Sequence, residues 1–187
     1  MSISAVLLAG GESRRMGRDK ATAQWRGRPL WEWQLEKLRA LEPEKVLLSA
    51  RSDLPWRPAD VELVVDLPPS RGPLSGLAAA LASVETDHLL ALAVDLPFMT
   101  IEHLRYLCGL ATNGIGVVPI IDGDAEPLAA IYPRRARTMF MEALRSDDYS
   151  LQPIVRKLID QDMLLELPLL GPTRDFYKNI NEPVDLD

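Results

Sequence analysis

Continuous apolar runs alternate with helix-period stripes along this chain from its first residues. Residues 5–9 are apolar at every position and end at Gly10, the pattern of a strand covered on both faces. Residues 29–41 put Trp31, Leu35 and Leu38 on one stripe with Pro29 near the start, and predict a helix. Residues 46–50 and 62–65 predict short strands, 74–84 a helix rich in small residues, and 89–94 a further strand without a polar position. Residues 100–110 predict a helix capped by Thr100, with Glu102 in its electropositive first turn. Residues 115–121 and 128–132 predict strands joined through Asp122-Gly123-Asp124, a connection short enough to require an antiparallel pair. Helices follow at 134–145 and 151–159, and residues 176–180 read as a final edge strand. The alternation predicts a Rossmann-like α/β three-layer sandwich with a mostly parallel sheet. No repeat, low-complexity tract or linker interrupts it, so residues 1–187 are expected to form one domain.

Composition narrows the function classes. The 187 residues carry a formal net charge of −6 and no sustained basic stretch, which argues against nucleic acid as a partner. An anionic substrate would have to be held by a few local cations and backbone N–H groups. The longest apolar run, 89–94, is far short of the roughly 20 residues of a membrane span. Cys108 is the single cysteine and excludes an intrachain disulfide, so a cytoplasmic, reducing compartment is expected. Cys108 itself reads as a small apolar core residue.

Three segments carry candidate chemistry, each where an apolar strand ends. In open α/β sheets, ligands bind beyond the carboxyl ends of the strands. The first segment runs from Leu8 through Ala9, Gly10, Gly11, Arg15 and Gly17 to Lys20. Gly10 and Gly11 allow close approach of backbone to a ligand, and their N–H groups suit phosphate oxygens. Arg15 and Lys20 would add positive charge toward a polyphosphate. The segment is neither a Walker A loop nor a dinucleotide fingerprint, and the plain alternative is a glycine-rich turn with solvated charges. In the second, Asp95-Leu96-Pro97-Phe98, Asp95 closes the apolar strand. A carboxylate there needs a partner, and magnesium, which takes one or two protein carboxylates and fills its shell with phosphate and water, is a fitting one. The third is Asp66 followed by Arg71-Gly72-Pro73-Leu74-Ser75-Gly76. Asp66 suits a ribose hydroxyl, a base edge or metal-bound water, or is a turn residue; Gly72 and Gly76 flank a helix start.

These segments resemble the molybdenum cofactor guanylyltransferases. Leu-Ala-Gly-Gly-x-Ser-Arg-Arg-Met-Gly-x-Asp-Lys at 8–20, Gly-Pro-Leu-x-Gly at 72–76, Asp-x-Pro-Phe at 95–98 and Asn-Ile-Asn-x-Pro-x-Asp-Leu at 179–186 are similar to that family's motifs, in the same order. The resemblance spans about residues 3–186 and implies a nucleotide-diphospho-sugar transferase-like fold. It also implies transfer of GMP from GTP to molybdopterin with Mg²⁺. By motif, Leu8, Ala9, Gly10, Gly11, Lys20, Asp66 and Gly76 would bind the nucleotide. Asp95 would bind nucleotide and metal, and Arg15, Lys20 and Asp95 would be the catalytic groups.

Two positions depart from the family pattern. Ser49, Ala50 and Arg51 stand near a frequent Asn, and Glu126-Pro127-Leu128 stands where His-Pro-Thr is common. Asn179 and Asn181 suit either the acceptor or a turn. Partners expected beyond GTP and molybdopterin are proteins that deliver the acceptor or receive the product.

Ala-Gly-Gly in the first loop, rather than Ala-Ala-Gly, favours guanylyl over cytidylyl transfer. Asp19 rather than Pro before Lys20 sets the chain apart from sugar-nucleotide pyrophosphorylases. A non-catalytic adaptor on the same fold would be expected to lack a phosphate or metal residue, and Arg15, Lys20 and Asp95 are all present. Trp31 and Trp33 read as core, and Trp56 as a loop residue open to a surface role.

Overall fold

The structure is a computed structural model that describes residues 1–10, 20–66 and 70–180. Gly11, Arg15, Gly17 and Asn181 lie outside the described residues.

The chain opens with β1 (Ile3–Leu8), followed by a 3-10 turn at Lys20–Thr22 and a small hairpin of β2 (Gln24–Trp25) and β3 (Arg28–Pro29). Then come α1 (Leu30–Arg39), β4 (Val46–Ala50), β5 (Glu62–Val65), α2 (Pro73–Ser83), β6 (His88–Ala93) and α3 (Ile101–Leu110). The remainder is β7 (Gly116–Ile121), β8 (Asp124–Ala125), β9 (Ala129–Pro133), α4 (Arg137–Ala143), α5 (Leu151–Asp160), β10 (Leu164–Pro168) and a 3-10 stretch at Gly171–Tyr177.

One eight-stranded sheet in the order β10-β7-β9-β6-β1-β4-β5, with β8 paired to β7, forms the middle layer. Its pairs are parallel except those made by β9 and β8. The expected mostly parallel sheet and the antiparallel partnership of β7 with β9 are therefore present. The β7–β8 turn places Asp122 at φ 52° and Gly123 at φ 92°, the left-handed pair that a two-residue hairpin needs.

β1 and β6 are the central strands, and only one of their twelve positions is not buried. Helices on both faces cause this. One core gathers Leu30, Leu35 and Leu38 of α1 with Leu104 and Leu107 of α3. The other gathers Leu74, Leu77 and Leu81 of α2 with Phe140 of α4 and Leu158 of α5. Among the described residues, no helix is long and apolar enough to cross a membrane.

Two sequence expectations are corrected here. Residues 176–180 are not an edge strand. The edge is β10, and Gly171-Pro172 starts a 3-10 stretch that runs to Tyr177. β10 is short and mostly solvent-facing, so it lacks the apolar alternation by which a strand is read. The predicted helix at 134–145 is a 3-10 turn, Arg134–Ala136, leading into the shorter α4. The Gln24–Pro29 hairpin was not anticipated at all. Its signal was Arg26-Gly27, which adopts positive φ at both positions, 50° and 78°.

Candidate active site

The chain leaves β1 to one side through β4 and β5, then crosses back to β6 on the other side. β1 is thus the switch point of the sheet, and a crevice opens beyond its carboxyl end. Ala50 ends β4, and Gly10, Asp66 and Asp95 follow the carboxyl ends of β1, β5 and β6, the parallel strands beside it at that edge.

The strand ladder continues past β1 and settles part of the first loop. The Leu8 carbonyl accepts from the Val94 N–H at 3.2 Å, and the Ala9 N–H donates to the Ser49 carbonyl at 3.0 Å. These two groups serve the sheet. Gly10 does not use a positive φ, and a Cβ built on it meets Ala50 Cα at 3.5 Å and Asp66 Oδ2 at 3.7 Å, ordinary contacts. Neither backbone strain nor crowding by the protein therefore requires glycine there. Among the described residues, a Cβ at Gly10 would lie against Ala50 and Asp66 without crowding them.

Lys20 and Asp95 come together across 75 residues. Lys20 Nζ donates to Asp95 Oδ2 at 2.7 Å, with each side chain about one-fifth exposed (20% and 21%). The expected phosphate cation and the expected metal carboxylate are therefore ion-paired at the mouth of the crevice. If a metal–phosphate unit bound here, Asp95 would be the residue to hold the metal and Lys20 the residue to hold the phosphate. Among the described residues, no three of His, Cys, Asp or Glu gather as a metal cage. A divalent ion here would take one carboxylate from the protein and its remaining ligands from phosphate and water, which fits magnesium.

The turn that presents Asp95 is braced from below by α1. Gln34 Nε2 reaches the Val94 carbonyl at 3.4 Å, and Lys37 Nζ donates to the Pro97 carbonyl at 2.7 Å and to Gln34 Oε1 at 3.0 Å. Lys37 is only 8% exposed, and burial pushes its amine down to about 8. From the other side, the Ile180 N–H donates to the Asp95 carbonyl at 2.9 Å. Asn179 is exposed next to that contact.

Asp66 is buried at the far end of the crevice. It accepts from Ser49 Oγ at 3.2 Å and from Ser70 Oγ at 2.9 Å. Two hydroxyls thus satisfy a carboxylate that would be costly alone. Gly76 lies beneath them, inside α2. A Cβ there would come 2.3 Å from Ser49 Oγ and 3.3 Å from Leu8 Cδ2, so Gly76 lets the helix close onto the strands that carry the site. Gly72 takes the positive φ of 66° that turns the chain into α2, and Ser75 Oγ accepts from the Arg71 N–H at 2.8 Å.

Of the residues anticipated from sequence, Leu8, Ala9, Gly10, Lys20, Asp66 and Asp95 are gathered at one edge, and Gly76 supports them from the helix below. Gln34, Lys37, Ser49 and Ser70 were missed as supports. Gln34 and Lys37 had a signal, a polar pair at i,i+3 on the buried side of α1 with Leu30 and Leu38. Ser49 had none, because its partner lies 17 residues away; Ser70, only four residues after Asp66, had the signal of a nearby hydroxyl.

Trp33 Nε1 donates to the Trp25 carbonyl at 2.9 Å, and Trp25 meets the Phe98 ring edge-on at 5.7 Å. The hairpin after Lys20 thereby rests on the Asp95 turn. Trp31 and Trp56 stack at 5.1 Å, so Trp56 packs on α1.

Residues 5–163 match the model of the family described as the MobA-like NTP transferase domain. The chain is 35% identical to a probable molybdenum cofactor guanylyltransferase of Opitutus terrae, over 100% of this chain and 94% of that one. It is 31% identical to the molybdenum cofactor guanylyltransferase of Ectopseudomonas mendocina, over 96% of this chain and 88% of that one. The crystal structure of molybdopterin-guanine dinucleotide biosynthesis protein A from Archaeoglobus fulgidus superimposes with a TM-score of 0.76 at 25% identity, covering 98% and 94% of the two chains. A cytidylyltransferase from Thermus thermophilus shares the fold, with a TM-score of 0.69 at 18% identity over 97% and 94%.

Proposed function

The chain belongs to the MobA-like NTP transferase family, and from that premise we propose that it transfers GMP from GTP to the terminal phosphate of molybdopterin. The products are molybdopterin guanine dinucleotide and pyrophosphate. The observation that carries this reading is the Lys20–Asp95 pair at 2.7 Å, set at the switch point of the sheet between the nucleotide-side motifs and the rest of the edge.

In this mechanism an oxygen of the acceptor phosphate attacks the α-phosphorus of GTP in line. A new P–O–P linkage forms as the bond from the α-phosphorus to the bridging oxygen breaks, and pyrophosphate carries away that electron pair. The protein contributes positioning and electrostatics, with no covalent intermediate. Gly10 leaves room for the nucleotide, and Asp66, held by Ser49 and Ser70, lies at the nucleoside end. Lys20 stabilises charge on the transferring and leaving phosphates, joined by Arg15 and the backbone of Gly11. Asp95 is the carboxylate for Mg²⁺, whose chemistry when bound is neutralisation of the α-phosphate and the leaving group. Asn179, beside Asp95, belongs to the acceptor side with Asn181. A single cysteine supports the cytoplasm as the compartment.

The test is pyrophosphate release from GTP and, separately, CTP, each with Mg²⁺ and molybdopterin. Release from GTP that requires the acceptor is the expected result. A preference for CTP would overturn the base assignment and leave the chemistry standing. Silence with both nucleotides would sink the reading.

A further inference from the structure

Glu126 sits in the connection between β8 and β9 with its backbone clamped on every side. Gln152 holds the residue before it twice, accepting from the Ala125 N–H at 3.2 Å and donating to the Ala125 carbonyl at 2.8 Å. The buried Tyr132 hydroxyl donates to the Pro127 carbonyl at 2.7 Å, and the Glu126 N–H itself donates to the Pro119 carbonyl at 2.8 Å. The side chain has none of this support. Among the described residues its carboxylate makes no hydrogen bond and no ion pair, although the residue is partly buried. Burial, and secondarily Asp124, raises its pKa. A rigid frame around a partly buried carboxylate that reaches water, with no protein donor among the described residues, leaves that carboxylate open to a ligand's N–H groups.

The sheet fixes where that ligand would lie. Leu128 is tied to the end of β6 through the Ala93 N–H at 2.7 Å, two residues before Asp95. Tyr177, close enough for its hydroxyl to feel the Glu126 charge, leads into Ile180 on the Asp95 carbonyl. Asp66 follows β5, at the opposite end of the edge. From β5 through β4, β1 and β6 to β9 is four strand spacings, about 19 Å. The Lys20–Asp95 pair falls between these two carboxylates.

We propose, resting on the acceptor reading above, that Glu126 recognises the heterocycle of the acceptor: its two oxygens accept from adjacent ring and exocyclic N–H donors, as a pterin edge presents them. Guanine offers the same donor pair. The position of Glu126, across Asp95 from the nucleotide crevice, assigns the carboxylate to the acceptor. Pro127 and the clamp from Gln152 fix the approach angle, so recognition needs no reordering of the loop.

The experiment compares wild type, Glu126→Gln and Glu126→Ala. It measures steady-state rates with GTP varied and with molybdopterin varied, equilibrium binding of molybdopterin without nucleotide, and thermal melting. Both variants are expected to raise KM and Kd for molybdopterin about tenfold or more, with KM for GTP within about twofold, because charge-assisted hydrogen bonds to one substrate are lost. Both should melt at or above the wild-type temperature, since the side chain has no partner to lose. A raised KM for GTP with the acceptor constants unchanged would move Glu126 to guanine and overturn the proposal. Unchanged constants for both substrates would overturn it, as would equal losses for both together with a lowered melting temperature. Wild-type protein that binds molybdopterin but does not turn over with GTP would sink the function reading alone, and the binding arm would still decide Glu126. Wild-type protein that does not bind molybdopterin would sink both.

Discussion

Asp95 illustrates how one side chain is prepared by others that never touch a substrate. Its carboxylate faces Lys20, while its turn hangs from Gln34, Lys37 and the Ile180 N–H. Lys37 is an unusual brace, a buried amine whose hydrogen-bond acceptors among the described residues are neutral oxygens, and its pKa, depressed to about 8 by burial, reflects the electrostatic cost of that position. Replacement of Asp95 by Ala separates chemistry from folding. The variant should lose about 10²–10³-fold or more in kcat, the scale of removing a preorganised electrostatic partner of the transition state. Its melting temperature should stay close to wild type, because both members of the Lys20–Asp95 pair reach water and such pairs contribute little to stability. Pyrophosphate release and a thermal melt on the same sample check both halves, and near wild-type turnover would remove Asp95 from the metal role.

Helix α2 shows how an element's packing reaches into the site. Its face toward the sheet is built from Leu74, Gly76, Leu77 and small alanines, so it lies close over β1, β4 and β5. Gly76 is the contact where closeness matters, because a methyl group would collide with Ser49 Oγ, the hydroxyl that holds Asp66. Gly76→Ala should therefore destabilise the fold by about 1–2 kcal/mol, the strain and lost hydrogen bond outweighing a helix-propensity gain of up to about 1 kcal/mol. It should also weaken GTP binding through the displaced Asp66. In Ser49→Ala/Gly76→Ala the contact with the Ser49 hydroxyl is gone and only the tighter-than-usual contact with Leu8 remains, so the second substitution should cost less than it does alone, a coupling that a double-mutant cycle of melting and GTP affinity measures. Strict additivity would show that the helix yields and the strand does not.

For the molecule as a whole, the two histidines set an acid limit on stability. His88 is completely buried on β6, with Nε2 3.1 Å from the Ile115 carbonyl. His103 lies in the first turn of α3, with Nε2 2.8 Å from the Tyr177 hydroxyl. Burial lowers the pKa of both. The unfolded chain, with ordinary histidine values of about 6.5, then takes up protons before the folded one does. Their contribution is fully present above about pH 6.5 and is lost as the pH falls through the lowered folded values. Melting temperature should accordingly decline between pH 7 and pH 5, before most carboxylates titrate, and His103→Gln should flatten that decline. A decline unaltered by the substitution would place the acid sensitivity elsewhere.

The layered fold and the ligand edge could be read along the chain because each rests on local chemistry. Strands without polar positions must be covered on both faces, and Thr100 caps α3 through the His103 N–H at 3.1 Å because a hydroxyl suits an open helix end. Asp66 and Asp95 were legible as site candidates because a carboxylate after an apolar strand needs a reason to be there. The hairpin at 24–29 was not read: its strands are too short to carry an apolar period, and only Arg26-Gly27, which takes positive φ at both positions, marks its turn. Pairings between distant residues were not legible. That Lys20 meets Asp95, that Ser49 serves Asp66, and that Lys37 supports the Pro97 carbonyl depend on which strands become neighbours and how closely α1 and α2 settle on them. The edge position of β10 and the 3-10 course of 171–177 depend likewise on where the sheet ends. Sequence patterns encode periodicity and local capping; contacts 17 to 75 residues apart arise only when burial of two apolar faces brings the strand ends to one side of the sheet.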